Sequence, residues 1–127
     1  MLLKTKFLAP AYNPKSVDRS RLTSRLDSRH GRKLTSIVAP AGYGKTTLVT
    51  QWIHSEHISY SWLSLDEADN EPRQFWQYII GTLDHSFDCI GSESVKLLND
   101  KQAPIEASVT ALVNELCIFP FVSKNVV

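Results

Sequence analysis

A chain of 127 residues, 43% hydrophobic and 21% charged, fits one globular domain at most. Its net charge of +1 hides an asymmetry: the first fifty residues hold ten Lys/Arg against two acids, the rest four against eleven. The basic half therefore suits a polyanionic ligand, and no apolar run approaches the ~20 residues that span a bilayer. Cys89 and Cys117 have neither metal-ligand spacing nor a disulfide framework around them. Reduced thiols in a cytoplasmic protein, without membrane contact, are expected.

Residues 1–16 read as an extended lead-in, because Pro10 and Pro14 forbid a continuous helix. Lys4 and Lys6 interrupt its apolar start, which excludes a secretory leader. Asp18 is a candidate N-cap for a helix near 19–30, with Leu22 and Leu26 at i, i+4 spacing and Gly31 as C-cap. The other faces carry Arg19, Arg21, Arg25 and Arg29, with Arg32 and Lys33 beyond. No helix-turn-helix or RNA-binding pattern accompanies them, so a solvated helix beside an anion is expected, without DNA contact.

The apolar, β-branched run Leu34-Thr35-Ser36-Ile37-Val38 predicts a strand. It leads into Ala39-Pro40-Ala41-Gly42-Tyr43-Gly44-Lys45-Thr46-Thr47 and then into the helical pattern Leu48-Val49-Thr50-Gln51-Trp52-Ile53. Strand, glycine-rich turn, Lys-Thr and helix make the context of a P-loop. Glycines let successive N–H groups converge on phosphate oxygens, and the helix N-terminus adds about half a positive charge. Lys45 is placed to reach the β- and γ-phosphates of ATP, and the Thr46 hydroxyl to ligate Mg²⁺. Ala39 departs from the pattern G-x-x-x-x-G-K-[ST], which asks for glycine there.

Ile58-Ser59-Tyr60-Ser61-Trp62-Leu63-Ser64-Leu65 predicts a second strand. Asp66-Glu67 at its end mimics a Walker B pair. In a P-loop sheet, however, that strand lies two or three places from the loop, which puts its tip roughly 10–14 Å away at about 4.8 Å per strand. Asp69-Asn70-Glu71-Pro72 signals a helix start, followed by a helix over about 72–86 with Phe75, Trp76, Ile79, Ile80 and Leu83 on one stripe. Cys89-Ile90-Gly91 reads as a loop and residues 95–98 as a short helical piece. A last helix near 105–117 carries Val109, Leu112, Val113 and Leu116.

These pieces together resemble the ATP-binding region of the large ATP-dependent LuxR-type transcriptional activators, a group of signal-transduction NTPases with numerous domains. The resemblance rests on Val17-Asp18-Arg19-Ser20-Arg21-Leu22, the loop Ala39–Thr47 with Gln51-Trp52, the run Trp62–Asn70, Phe75–Ile80 and Leu112–Leu116. It implies an α/β fold: an incomplete three-layer αβα sandwich with parallel strands, spanning residues 17–117, with a divergent tail at 118–127. It implies ATP and Mg²⁺ as ligands, bound by residues 39–47, and a strap of Val17, Arg19 and Arg21 near the adenine. Self-association and DNA binding belong to other regions of such proteins. The family continues after the last helix with an apolar strand ending in Asp-Asp, whereas here Pro120-Phe121-Val122 is followed by Ser123-Lys124-Asn125-Val126-Val127. A fragment that binds nucleotide with little hydrolysis is therefore expected. The alternatives are a small P-loop kinase or NTPase using Asp66-Glu67, and an inert truncated product.

Overall fold

The computed structural model describes residues 2–26 and 35–118. Arg29, Gly31, Arg32, Lys33 and Leu34, the second half of the first predicted helix and the tail at 119–127 lie outside the described residues. The described elements are five α-helices: α1 (Ser20–Leu26), α2 (Lys45–Glu56), α3 (Pro72–Phe87), α4 (Ser92–Asn99) and α5 (Ile105–Ile118), with short 3-10 turns at Lys4–Phe7 and Glu67–Asn70. None of them is long and apolar enough to cross a membrane. They fall into two compact units, which are described separately.

The expected parallel-strand αβα sandwich is not what forms. Among the described residues there is no strand and no sheet. A strand exists only through a neighbour that takes its backbone groups, and these go elsewhere. In the stretch 61–65, the Ser64 N–H donates to the Lys6 carbonyl at 2.9 Å, and the Trp62 carbonyl accepts from the Thr82 hydroxyl of α3 at 2.5 Å. In the other unit, residues 35–40 carry no regular structure and Val38 is 90% exposed.

The first unit comprises residues 2–8 and 61–118. Its core is Ile80, Leu83, Ile90, Leu98 and Leu112, with Trp76, Ile79, Phe87, Ile105 and Leu116 packed against it. Pro72 opens α3 where its missing N–H costs nothing, and the Glu71 carboxylate accepts from the N–H groups of Arg73 and Gln74. Of the stripe read on α3, Trp76, Ile79, Ile80 and Leu83 join the core, while Phe75 meets only Trp76 edge-on among the described ring contacts. Tyr78 is buried as well, with Phe7 of the N-terminal turn edge-on to it at 6.2 Å between ring centroids. On α5 the outcome is mixed: Leu112 is buried, while Val113 is half-exposed.

Two fully buried serines seam α4 to α5. The Ser94 hydroxyl donates to the Ser108 carbonyl at 2.7 Å, and the Ser108 hydroxyl to the Ser94 carbonyl at 2.8 Å. Small side chains let the helices approach, and the reciprocal bonds offset desolvation of both hydroxyls. The Glu115 carboxylate of α5 caps α4 by accepting from the N–H groups of Gly91 and Glu93. Arg73 closes the other end, donating to the carbonyls of Leu98 and Ala103 at 2.7 Å each.

Gly91 begins α4 at φ +93°, and a methyl added there would overlap the γ-carbon of fully buried Ile80. Gly91→Ala therefore combines a left-handed strain with an overpacked core. It should cost about 2–4 kcal/mol of stability, read as a lowered urea midpoint with an unchanged slope. A shift no larger than that of a surface alanine would contradict this packing.

Candidate functional site

The second unit comprises residues 9–26 and 35–60, with α1 and α2 as its helices. The glycine-rich loop opens α2. Tyr43 N–H closes a turn onto the Pro40 carbonyl at 3.3 Å, and Gly42 and Gly44 take φ of +84° and +78°. A methyl at Gly42 would meet nothing within 4 Å, so glycine serves the backbone there rather than space. Gly44 is the N-cap of α2 and the cap contributes no side-chain bond. The first N–H groups of an α-helix have no intrahelical carbonyl to bond, so the start of α2 lacks the usual Ser/Asp cap that would compete with an anion.

Lys45 folds back onto the loop and donates to the carbonyl of Ala39, the position where the motif has its substituted glycine. Thr46 and Thr47 are exposed beside it, as are Pro40, Ala41 and Tyr43. The helix half of the strand–loop–helix context is formed, and the strand half is not.

Arg19 reaches this loop from just before α1. Its Nη1 donates to the Tyr43 carbonyl at 2.9 Å. A methyl at Gly44 would come within 3.1 Å of both terminal nitrogens of that guanidinium, so the flat cation lies against the bare face of Gly44. Two cationic side chains, Arg19 and Lys45, thus meet the loop where α2 begins and where its dipole is positive. Val17 is 76% exposed and Arg21 is exposed on α1. Of the three strap residues, Arg19 is the one whose side chain the structure brings to the loop.

Gln51 is the residue that the residue-by-residue reading passed over, since it entered only as part of a matching run. It is buried on α2, and its Nε2 donates to the Ser16 hydroxyl at 2.8 Å and to the Val17 carbonyl at 2.7 Å. Its Oε1 is buried without a partner, as is Trp52 Nε1. An orphaned buried acceptor costs about 1–3 kcal/mol, so the two donated bonds are held against a penalty. No periodicity signals such a tie; a glutamine on the apolar side of a helix was the available hint. At the far end of α2 the His54 ring stacks on Tyr12, 3.8 Å between centroids and 10° from parallel.

The Asp66-Glu67 pair belongs to the first unit, and Asp66 is already engaged. One oxygen accepts from the Ala68 N–H at 2.9 Å and the other meets the Lys6 ammonium at 2.9 Å. Buried Asp69 accepts from Lys6 at 2.6 Å and from the Asp66 N–H at 2.9 Å, closing a capping box over the 3-10 turn. No group of three or more His, Cys, Asp or Glu able to hold a metal exists among the described residues.

No family model matches the chain. It is 38% identical over 120 residues to the HTH-type transcriptional regulator MalT of Serratia proteamaculans (strain 568), a match covering 93% of this chain. It is 34% identical over 122 residues to the protein of the same description from Cronobacter sakazakii (strain ATCC BAA-894), covering 94%. The chain spans about 13% of the length of each of these relatives. Nearly all of it is thus similar to a small part of a much larger transcriptional regulator.

The Lys6 cluster has a pH signature. The hydrogen bond from Lys6, then that from the Asp66 N–H, holds the Asp69 carboxyl below its ordinary range, and the carboxylates of Asp69 and then Asp66 hold Lys6 above its own. A lowered folded-state value means stability that is present above the ordinary carboxylate range and lost as pH falls through the lowered value. The raised lysine contributes below the ordinary lysine range and loses that contribution as pH rises through its raised value. Asp69→Asn should accordingly be less stable than the parent at neutral pH, with the gap narrowing as pH falls below about 4. Urea midpoints of both proteins across that range test this, and a pH-independent gap would refute it.

Proposed function

We propose that this chain is the nucleotide-binding segment of a MalT-like transcriptional regulator, and that it binds ATP with Mg²⁺ through residues 39–47. The observation that carries the reading is the start of α2: two left-handed glycines, a helix N-terminus without a side-chain cap, and Lys45 and Arg19 at one loop. Anion binding draws on helix-start N–H groups without a side-chain cap, a positive dipole and cations, and the start of α2 with Lys45 and Arg19 offers these. Lys45, now on the Ala39 carbonyl, would hold the β- and γ-phosphates, and the exposed Thr46 hydroxyl would hold the metal. The resemblance set Val17, Arg19 and Arg21 near the adenine; with its guanidinium at Tyr43 and Gly44, Arg19 would instead add a second cation beside the phosphates, and Val17 and Arg21 stand two residues to either side of it. Similarity to HTH-type transcriptional regulators along the chain supports a place within such a regulator; on this proposal the chain is a nucleotide switch of a cytoplasmic protein whose self-association and DNA contact lie elsewhere.

Binding rather than turnover is the activity this site supports. Phosphoryl transfer calls for a carboxylate on the metal and a positioned water. The Asp66-Glu67 reading would recruit Asp66, whose two oxygens are held by Lys6 and the Ala68 N–H.

Equilibrium binding of a fluorescent ATP analogue with Mg²⁺ tests the proposal, with Lys45→Ala alongside the parent. Saturable binding is expected, weakened about ten- to hundredfold by the substitution, the range of a lost charge-assisted hydrogen bond. Equal binding by both proteins, or none by either while both remain soluble, would overturn it.

A further inference from the structure

Resting on the phosphate-site reading above, we propose that Gln51 is a positioning residue: it fixes residues 16–19 against α2 so that the Arg19 guanidinium is delivered to the loop, where a polyphosphate would meet it. The chemistry of the tie is unambiguous. The Ser16 hydroxyl gives its single proton to the Asn13 carbonyl at 2.7 Å. Toward Gln51 it can only accept, and the Val17 carbonyl can only accept as well. The amide nitrogen of Gln51 must therefore face both, and a flipped amide would set oxygen against oxygen. This leaves Oε1 as the buried orphan, which is the outcome expected when two specific donations decide the orientation.

The geometry makes the tie a lever on Arg19. The Gln51 anchor ends at the Val17 carbonyl, and Arg19 lies two residues further on. There the Arg19 carbonyl accepts from the N–H groups of Leu22 and Thr23 and starts α1, while its side chain crosses to the Tyr43 carbonyl. Residues 16–19 are thus pinned at both ends to one continuous piece, the loop and the helix that follows it. Gln51 and Lys45 are both on α2, so the helix that presents the lysine also sets the place of the arginine. A ligand gripping the loop then meets two cations in fixed register. The ligand class is an extended polyphosphate, which offers each of the two cations a phosphate group.

A double-substitution cycle with Mg²⁺-tripolyphosphate as the probe tests this on the full 127-residue chain. Gln51→Met keeps length and packing and removes both donated bonds. Arg19→Ala and Gln51→Met should each weaken binding about five- to tenfold, and the double variant should bind no worse than Arg19→Ala, because Gln51 acts through Arg19. Additive losses would overturn the proposal by showing that Gln51 acts independently. Amide exchange without ligand provides the second readout. Gln51→Met should speed exchange at Leu22 and Thr23 about tenfold and leave Val95 to Leu98 of α4 unchanged. Unchanged exchange at Leu22 and Thr23 would overturn the tie itself. Absence of tripolyphosphate binding by the parent would defeat the phosphate-site reading and the ligand half of this proposal with it, while the exchange result still decides whether Gln51 holds the strap.

Discussion

Gly44 carries two demands at one position: the chain must turn at φ +78°, and an α-helix must start there. Most residues that cap a helix well do so with a side-chain oxygen and a β-region backbone. Glycine gives up the oxygen and gains the turn. The consequence is a helix start with unclaimed N–H groups and with no side chain between the backbone and an approaching cation. The Arg19 guanidinium occupies the face that a β-carbon would otherwise cover. The uncapped start of α2 and the seat of the Arg19 guanidinium both follow from that one missing methyl.

The unit formed by residues 2–8 and 61–118 rests on a different principle. Beside its apolar core it gains definition from polar groups satisfied in pairs: Ser94 with Ser108, Glu115 with the start of α4, Arg73 with its end, Lys6 with Asp69. Each pairing is geometrically exclusive, so it fixes register where burial alone would tolerate sliding. The Lys6 tie also explains why the N-terminal segment, which reads as a lead-in, is anchored: Phe7 fills the space beside Gly81 of α3, and the Lys6 carbonyl takes the Ser64 N–H.

What could be read without coordinates follows the range of the forces involved. Helices α2 to α5 were legible because their signals are local: Glu71-Pro72 at a helix start, apolar spacing of three and four, glycine at a boundary. The glycine-rich loop was legible for the same reason. The sheet was misread because strand identity is not local. Thr35–Val38 and Ile58–Leu65 have the composition of strands, yet a strand needs a partner backbone, and short apolar runs do not announce theirs. Val113 fits the α5 stripe by spacing and is still half-exposed, since spacing names a face without saying how far the neighbouring helix covers it. Arg19 entered as one of a cluster of arginines, and nothing in the spacing separated it from Arg21; the bond to Tyr43 does.

The Asp66-Glu67 pair shows how a placement and its reason can part company. The sequence reading set these acids aside by counting strands across a sheet, and that sheet does not form among the described residues, so the count loses its footing. A different physical fact now bears on the question. A buried carboxylate goes where its charge is compensated; here that carboxylate is Asp69, met by Lys6 from 63 positions upstream, and Asp66 shares the same ammonium and closes a capping box with Asp69. Each Asp66 oxygen thus has a protein partner, Lys6 for one and the Ala68 N–H for the other. The apolar run ending in acids is therefore accounted for as a helix-capping, lysine-paired junction, with its chemistry set by a residue that no short motif includes.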